Sequence, residues 1–160
     1  MSLSIHSTAF QKEQPIPAKH TDDGDDLSPP LSWDPPPDGT QQLALICDDP
    51  DAPSPEPWVH WLIYGIPADV TELPEGIPTS ERLSSPVTAL QGKNSWTSGQ
   101  MIGYRGPAPP RGHGVHHYHF KLYALSAKPD LEPGLTKAQL LKAIEPHVIA
   151  TGELIGTYAR

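Results

Sequence analysis

Short apolar runs separated by turn-forming residues dominate the pattern of this chain. Leu43–Cys47 is apolar and bounded by loops, as is Val59–Ile66, and both runs predict buried β-strands. Val115–Leu125 gives the strongest strand signal, Leu3–Phe10 alternates loosely, and Glu153–Ala159 suits a last strand. The pattern therefore predicts a mainly β fold.

Helical signals occur late in the chain. Thr136-Lys137-Ala138-Gln139 is a capping-box pattern that predicts a short helix to about Ile144, and Pro146 predicts another helical turn. Proline and glycine interrupt the stretch 71–94, which is predicted to be mostly loop. Few helices, several strands and many turns together predict an antiparallel Greek-key β-sandwich with a few short peripheral helices.

Composition limits the classes of protein to consider. A length of 160 residues fits a single domain over 1–160, with the 21 prolines forming rigid loops between apolar runs. The net charge of −8 argues against non-specific binding to nucleic acid or to anionic membranes. Cys47 is the only cysteine, so no internal disulfide can form, and a buried apolar role is predicted for it.

Targeting signals are not recognisable in the sequence. The N-terminal residues lack a basic stretch followed by an apolar run, and no apolar segment reaches the length that crosses a bilayer. We therefore expect a cytoplasmic protein without stable membrane insertion.

Candidate chemistry is concentrated in two proline-rich loops that adjoin predicted strands. Asp49–Ser54 is followed by Trp58-Val59-His60-Trp61, and Gly106–Gly112 is followed by His116-His117-Tyr118. An acid, two imidazoles and a phenol are thus directed towards one pocket. Such a pocket suits an anion or a small polar headgroup.

Strand alternation predicts which side chains face that pocket. The predicted inward faces are His116, Tyr118, Phe120 and Leu122 in one strand, and Trp58, His60, Leu62 and Tyr64 in the other. Asp49 follows a buried strand directly, so its carboxylate can orient an imidazole and favour the charged or donating form. The Gly106–Gly112 loop can offer backbone N–H donors, although its prolines remove three of them.

Simpler structural roles compete at several positions. Trp58 is predicted to be a core residue or a pocket wall, and Asp51 to brace its own loop. His117 and His119 have a spacing that zinc can use, but they share a face predicted to meet solvent and no third ligand is evident, so we predict no metal. The acidic turn 22–26 lacks the ligand spacing of a calcium loop and is predicted to be solvated.

These segments resemble the phosphatidylethanolamine-binding protein family, in particular its bacterial Raf kinase inhibitor-like branch. The similar stretches are Asp49–Pro53 with Trp58 and His60, Gly106–Tyr118, Gly24–Trp33 and Glu153–Tyr158. The resemblance covers nearly the whole chain and keeps the order of the motifs.

The resemblance implies a β-sandwich with peripheral helices and a small pocket for phosphate, phosphorylated headgroups or acetate. The pocket residues that it implies are Asp49, His60, Pro109, Pro110, His116 and Tyr118, with Asp51, Trp58, Gly106 and Ala108 lining or supporting them. It also implies a homodimer and, because the chain lacks the extra C-terminal helix of eukaryotic members, a more open pocket rim. Apart from the resemblance, we predict no cofactor. Regulation of a protein kinase or protease is a further implication at the level of the family.

Two positions depart from the family pattern. His117 stands where the family often has arginine, which removes a permanent charge and a forked donor, so we expect loss of a structural salt bridge without loss of binding. Ala108 stands where glycine is common in eukaryotic members, and its methyl group is expected to narrow the pocket or restrict the backbone.

Three functional hypotheses remain open at this stage. The first is a non-enzymatic binding protein with a rigid anion pocket. The second is a small hydrolase or phosphoester-processing enzyme with Asp49 and His60 or His116 as an acid–base pair, although no nucleophile-elbow motif is present. The third is an interaction domain whose pocket is vestigial. Turnover that His60→Ala abolishes would favour the enzyme.

Overall fold

Two antiparallel β-sheets form the body of the protein, whose computed structural model describes residues 2–160. The strands are β1 (Ile5–His6), β2 (Leu31–Trp33), β3 (Gln42–Asp49), β4 (Trp58–Pro67), β5 (Glu72–Leu73), β6 (Arg82–Leu83), β7 (Ala89–Gln91), β8 (His116–Leu125) and β9 (Val148–Tyr158). Within the described residues there is one α-helix, α1 (Lys137–Ile144), and there are two 3₁₀ turns, Ala18–His20 and Glu145–His147.

The strand order confirms the predicted Greek-key sandwich. The larger sheet has the order β6-β7-β4-β3-β8-β9, and the smaller one has the order β1-β2-β5. After β3, β4 and β7, the chain returns through a long connection so that β8 pairs with β3. This arrangement of four antiparallel strands is a Greek key.

Two apolar clusters cover the two faces of the large sheet. The main core lies between the sheets and joins side chains such as Trp33 and Leu73 to Trp61 and Phe120. On the opposite face, Leu140 and Ile144 of α1 pack on a second cluster that contains Leu62 and Tyr64. Because β3 is covered on both faces, it is a continuous run of buried residues and does not alternate.

The predicted helical segment is confirmed at the end of the chain. Thr136 caps α1 as a capping box, because its side chain accepts from the Gln139 N–H while the Gln139 side chain accepts from the Thr136 N–H. Pro146 lies in the 3₁₀ turn that follows. The main strands also match their predictions closely.

The first and last strands differ from their predictions in length. Only Ile5–His6 of the predicted strand Leu3–Phe10 pairs in a ladder, because the flanking chain runs beside β9, where Leu3 N–H donates to Thr151. Leu3 and Phe10 are nevertheless buried in the main core. β9 begins at Val148, five residues before the predicted Glu153, because β8 supplies paired backbone along its whole length.

No helix among residues 2–160 combines the length and the apolar character needed to cross a membrane.

The buried Gln91 side chain links β7 to Trp61 and to the 78–80 loop, so its removal tests how much these hydrogen bonds stabilise the fold. Its Oε1 accepts the Trp61 indole N–H at 2.7 Å, and its Nε2 donates to Pro78 and Ser80 carbonyls at 2.7 and 2.8 Å. Gln91→Ala leaves these groups unsatisfied, so we expect the free energy of unfolding to fall by about 3 kcal/mol. Urea denaturation measures this loss, with Gln41→Ala, at an exposed position, as the control. A loss within about 0.5 kcal/mol would contradict the importance of this contact.

Candidate functional site

Three strand ends meet at one edge of the large sheet. β3 ends at Asp49, which lies opposite Trp58 at the start of β4, while Asp48 lies opposite His119 near the start of β8. Because β3 runs antiparallel to both neighbours, its last residue lies beside their first residues. The sheet therefore gathers the polar side chains that the sequence places at three separate strand ends.

His60 lies at a β-bulge in β4. Cys47 pairs with Trp61 and Asp48 pairs with Val59, which leaves His60 as the extra residue of the ladder. The bulge turns the His60 ring towards Tyr118 on β8, and a bulge is a common device for re-aiming a side chain.

The bulge corrects the predicted inward face of β4. Trp58, His60, Leu62 and Tyr64 were predicted to share one face, but Leu62 and Tyr64 belong to the helix-side cluster. His60 contacts the Tyr118 ring, which belongs to the main core. By contrast, the predicted inward face of β8 is confirmed, because its residues alternate regularly between buried and half-buried.

A pocket of about 210 Å³ opens at this edge. Its lining consists of Asp49, Ala52, Pro53, Ser54, Trp58, His60, Trp96, Ala108, Pro109, Pro110, His116 and Tyr118. All six residues predicted to bind ligand are in this lining, and so are Trp58 and Ala108. Asp51 and Gly106, predicted as close neighbours, lie outside it.

A hydrogen-bonded chain runs from the base of the pocket to its surface. Asp49 Oδ2 accepts from His116 Nδ1 at 2.6 Å, and both side chains are buried. Asp49 Oδ1 accepts the Asp51 N–H at 2.8 Å. The remaining His116 nitrogen, Nε2, lies 2.6 Å from Nδ1 of the exposed His113. Asp49 therefore orients His116, and His113 covers it from outside.

The His60 imidazole is held as a neutral group. Burial lowers its pKa to about 4, against a smaller opposing effect of the Arg105 carbonyl and the nearby Asp49 carboxylate. Its Nδ1 lies 2.6 Å from the Arg105 carbonyl oxygen, and the His60 carbonyl accepts the Arg105 N–H at 3.0 Å. The imidazole that Asp49 orients is that of His116, whereas His60 is a neutral donor to the Arg105 carbonyl.

Aromatic rings form the walls around His60. Tyr118 and Trp96 stand edge-on to the imidazole, with ring centroids at 5.1 and 5.2 Å, and Trp96 also meets Trp58 edge-on. Burial raises the pKa of Tyr118, so its hydroxyl keeps its proton. Of the two roles considered for Trp58, the structure favours the pocket wall.

His117 hydrogen-bonds to Asp51 at the position where the family often has arginine. Its Nδ1 lies 2.7 Å from Asp51 Oδ2, which also accepts the His117 backbone N–H at 2.8 Å. Partial burial acts to raise the pKa of Asp51, but these hydrogen bonds outweigh it and hold that pKa below its usual value. The permanent charge of an arginine is absent, but hydrogen bonds still tie this position to Asp51, which braces β8 as well as its own loop.

Gly106 anchors the second loop from behind the pocket. Its N–H donates to Asp26 Oδ1 at 2.8 Å, and a Cβ at this position would lie 2.1 Å from the His20 carbonyl oxygen. Only glycine permits this close approach. The acidic turn 22–26 therefore does more than meet solvent, since Asp26 fixes the loop that carries Pro109 and Pro110.

The remaining histidine and cysteine candidates have structural partners. His119 pairs with Glu153 at 3.1 Å, and no group of three or more potential metal-ligating side chains forms within residues 2–160. Cys47 is buried as predicted, and burial raises the pKa of its thiol well above the usual value.

Trp96 is the main pocket residue that the sequence analysis missed. It lies in a loop without hydrophobic periodicity, and its position depends on Ser95, whose backbone and hydroxyl bond to Val59 at the start of β4. The single available signal was a large aromatic residue in a polar stretch. Ala52, Pro53 and Ser54 belong to the first loop, which the sequence did single out.

The fold and the site together define a β-sandwich binding protein with a small pocket at the sheet edge. The family model for phosphatidylethanolamine-binding proteins matches residues 6–159, and the chain belongs to this family.

Three relatives from archaea and bacteria match along nearly their full lengths. A UPF0098 protein from Methanothermobacter thermautotrophicus is 51% identical over 160 residues, covering 100% of this chain and 99% of the relative. The crystal structure of YbcL from E. coli has a TM-score of 0.90 at 30% identity, covering 100% of this chain and 99% of that one. A phosphatidylethanolamine-binding protein homologue from Chlamydia trachomatis has a TM-score of 0.86 at 39% identity, covering 99% and 98%.

The titration of His60 tests the electrostatics of the site. We expect nitrogen-15 NMR to show a neutral ring protonated at Nδ1 that titrates near pH 4. In the unfolded chain the imidazole takes up a proton near pH 6.5, whereas in the folded protein it does so only near pH 4. The free energy of unfolding is therefore unaffected by His60 above pH 6.5 and decreases below it, where the proton favours the unfolded chain. About 3 kcal/mol is lost as the pH falls from 6.5 to 4.

His60→Gln, which keeps a donor for Arg105, should flatten the acid limb of this stability profile. Titration of wild-type His60 near its ordinary pKa, or protonation of the neutral ring at Nε2, would contradict the assignment.

Proposed function

We propose that this protein binds a small oxyanion, such as phosphate or a phosphorylated headgroup, in the pocket at the sheet edge. The observation that carries the proposal is the convergence of four buried polar side chains from three strands: Asp49, His60, His116 and Tyr118. Buried polar groups that open into a pocket are costly to the fold, and a ligand that hydrogen-bonds to them offsets that cost.

The rim of the pocket supports reversible binding of a small ligand. Pro109 and Pro110 fix the backbone of the second loop, which Gly106 ties to Asp26. A rigid rim lowers the entropy lost when a ligand binds. The name of the family, and that of the related Chlamydia protein, point to the same class of headgroup ligand.

An enzymatic role is the alternative that the Asp49–His116 pair favours, since such a pair can act as an acid–base unit. The second His116 nitrogen, however, contacts His113 and not a hydroxyl or thiol. Ser54, the serine in the pocket lining, donates to the Glu56 carbonyl at 2.6 Å. These contacts favour binding over nucleophilic catalysis.

Several implications of the family resemblance stay predictions. They are regulation of a protein kinase or protease and assembly as a homodimer. The cytoplasmic location, expected from the lack of a recognisable targeting signal, also stays a prediction.

Calorimetric titration of phosphate and O-phosphorylethanolamine tests the proposal. We expect saturable binding to the wild type and at least about tenfold weaker binding to His116→Ala, because that change leaves the buried Asp49 carboxylate uncompensated beside the ligand. His119→Ala is the matched control, since this histidine lies on the same strand but pairs with Glu153 outside the pocket. The absence of heat from both ligands with folded wild type would contradict the proposal.

A further inference from the structure

The position of the His60 proton is fixed by the backbone. Nδ1 lies 2.6 Å from the Arg105 carbonyl oxygen, and a carbonyl oxygen can only accept a hydrogen bond. Nδ1 must therefore carry the proton. In a neutral imidazole the other nitrogen, Nε2, then holds a lone pair and acts as an acceptor.

This lone pair is available to a ligand. The His60 ring lines the pocket, its Nδ1 is engaged by the Arg105 carbonyl, and Nε2 is not among the fully buried unpartnered atoms within residues 2–160. The ring is only 3% exposed, so the pocket is its route to another partner. An unpaired acceptor in such a site favours a ligand that brings a donor.

The Tyr118 hydroxyl complements this acceptor. It also lines the pocket, and the described part of the chain gives it no hydrogen-bond partner. Since burial raises its pKa, it stays a donor over the physiological pH range. His60 and Tyr118, whose ring centroids lie 5.1 Å apart, therefore present one acceptor and one donor side by side.

Fixed positive charge is missing from the pocket lining. No lysine or arginine is among the twelve lining residues, whereas the Asp49 carboxylate is. A fully deprotonated oxyanion would direct a bare oxygen at the His60 lone pair and would be repelled by Asp49. An oxyanion that keeps one proton removes both problems, because its hydroxyl can donate to Nε2.

We infer that the pocket selects an oxyanion that carries a proton, such as hydrogen phosphate or a phosphate monoester with a P–OH group, over an oxyanion without one. His60 Nε2 accepts the ligand proton, and the Tyr118 hydroxyl donates to another ligand oxygen. His60 thus acts as a specificity-determining residue. This inference rests on the proposed anion-binding function and narrows its ligand class.

The pH dependence follows from the ligand and not from His60. The charged and titratable groups around the His60 ring are Asp48 and Asp49 on β3, His116 and Tyr118 on β8, and Arg105 in the preceding loop. His60 itself stays neutral above about pH 4. A phosphate monoester loses its second proton near pH 6, so its affinity should fall as the pH rises from about 6 to 8.

Sulfate is the matched probe for this inference. It has the tetrahedral shape of phosphate but carries no proton between pH 6 and 8. We expect calorimetry at pH 6 to show phosphate and O-phosphorylethanolamine binding at least about tenfold tighter than sulfate. Inorganic phosphate keeps a P–OH group up to pH 8, so its ratio to sulfate should persist there, whereas the ratio for O-phosphorylethanolamine should shrink as this monoester loses its last P–OH proton above about pH 6. Protonation of protein histidines would strengthen the binding of both anions, so the ratio isolates the proton on the ligand.

Two variants assign the selectivity to His60. His60→Gln offers an amide that can donate as well as accept, so it should reduce the ratio of phosphate to sulfate affinity, while His119→Gln should leave it unchanged. Equal binding of phosphate and sulfate to the wild type would overturn the inference and leave the anion pocket intact. No binding of phosphate at any pH would overturn the proposed function itself.

Discussion

The buried hydrogen bond between Asp49 and His116 holds the two pocket loops in one place. It spans 2.6 Å between residues at the end of β3 and the start of β8, and both residues are at most 3% exposed. A buried carboxylate without partners costs several kcal/mol, so this contact strongly restricts how the two strand ends can be arranged. Because the other Asp49 oxygen accepts the Asp51 N–H, one carboxylate fixes both the first loop and β8.

The central position of β3 explains why the site forms at this edge. β3 pairs with β4 on one side and with β8 on the other, so Asp49, His60 and Tyr118 converge although they are distant in sequence. The bulge at His60 turns the imidazole ring towards Tyr118, an orientation that regular strand alternation would not give. Neutral hydrogen-bonding groups, and not permanent positive charge, consequently dominate the pocket.

The sequence pattern predicted the inward-facing side chains of a regular strand correctly, but it did not predict the effect of a β-bulge. On β8, period-two alternation correctly placed His116 and Tyr118 inward because the ladder to β3 has no bulge there. On β4 the same rule failed, because the extra residue at the bulge shifts the alternation by one position and the sequence carries no mark of that shift. The family resemblance supplied Pro109 and Pro110, which composition alone would have placed only in a loop.

Long-range contacts account for the other differences. Trp96 reaches the pocket through bonds between Ser95 and Val59, which no local pattern encodes. Gly106, predicted to line or support the pocket, lies behind it, where it allows the close approach of the loop to His20. His117 keeps a hydrogen-bond partner because folding brings Asp51 within 2.7 Å of its Nδ1, a contact that the sequence separation does not reveal.

A crystal structure of the protein grown at saturating phosphate, near pH 6, tests the central claim most directly. We expect one phosphate beneath the 108–110 loop, with one oxygen within hydrogen-bond distance of His60 Nε2 and another within that distance of the Tyr118 hydroxyl. An empty pocket, or phosphate bound only elsewhere on the surface, would contradict the assignment of this sheet edge as the binding site.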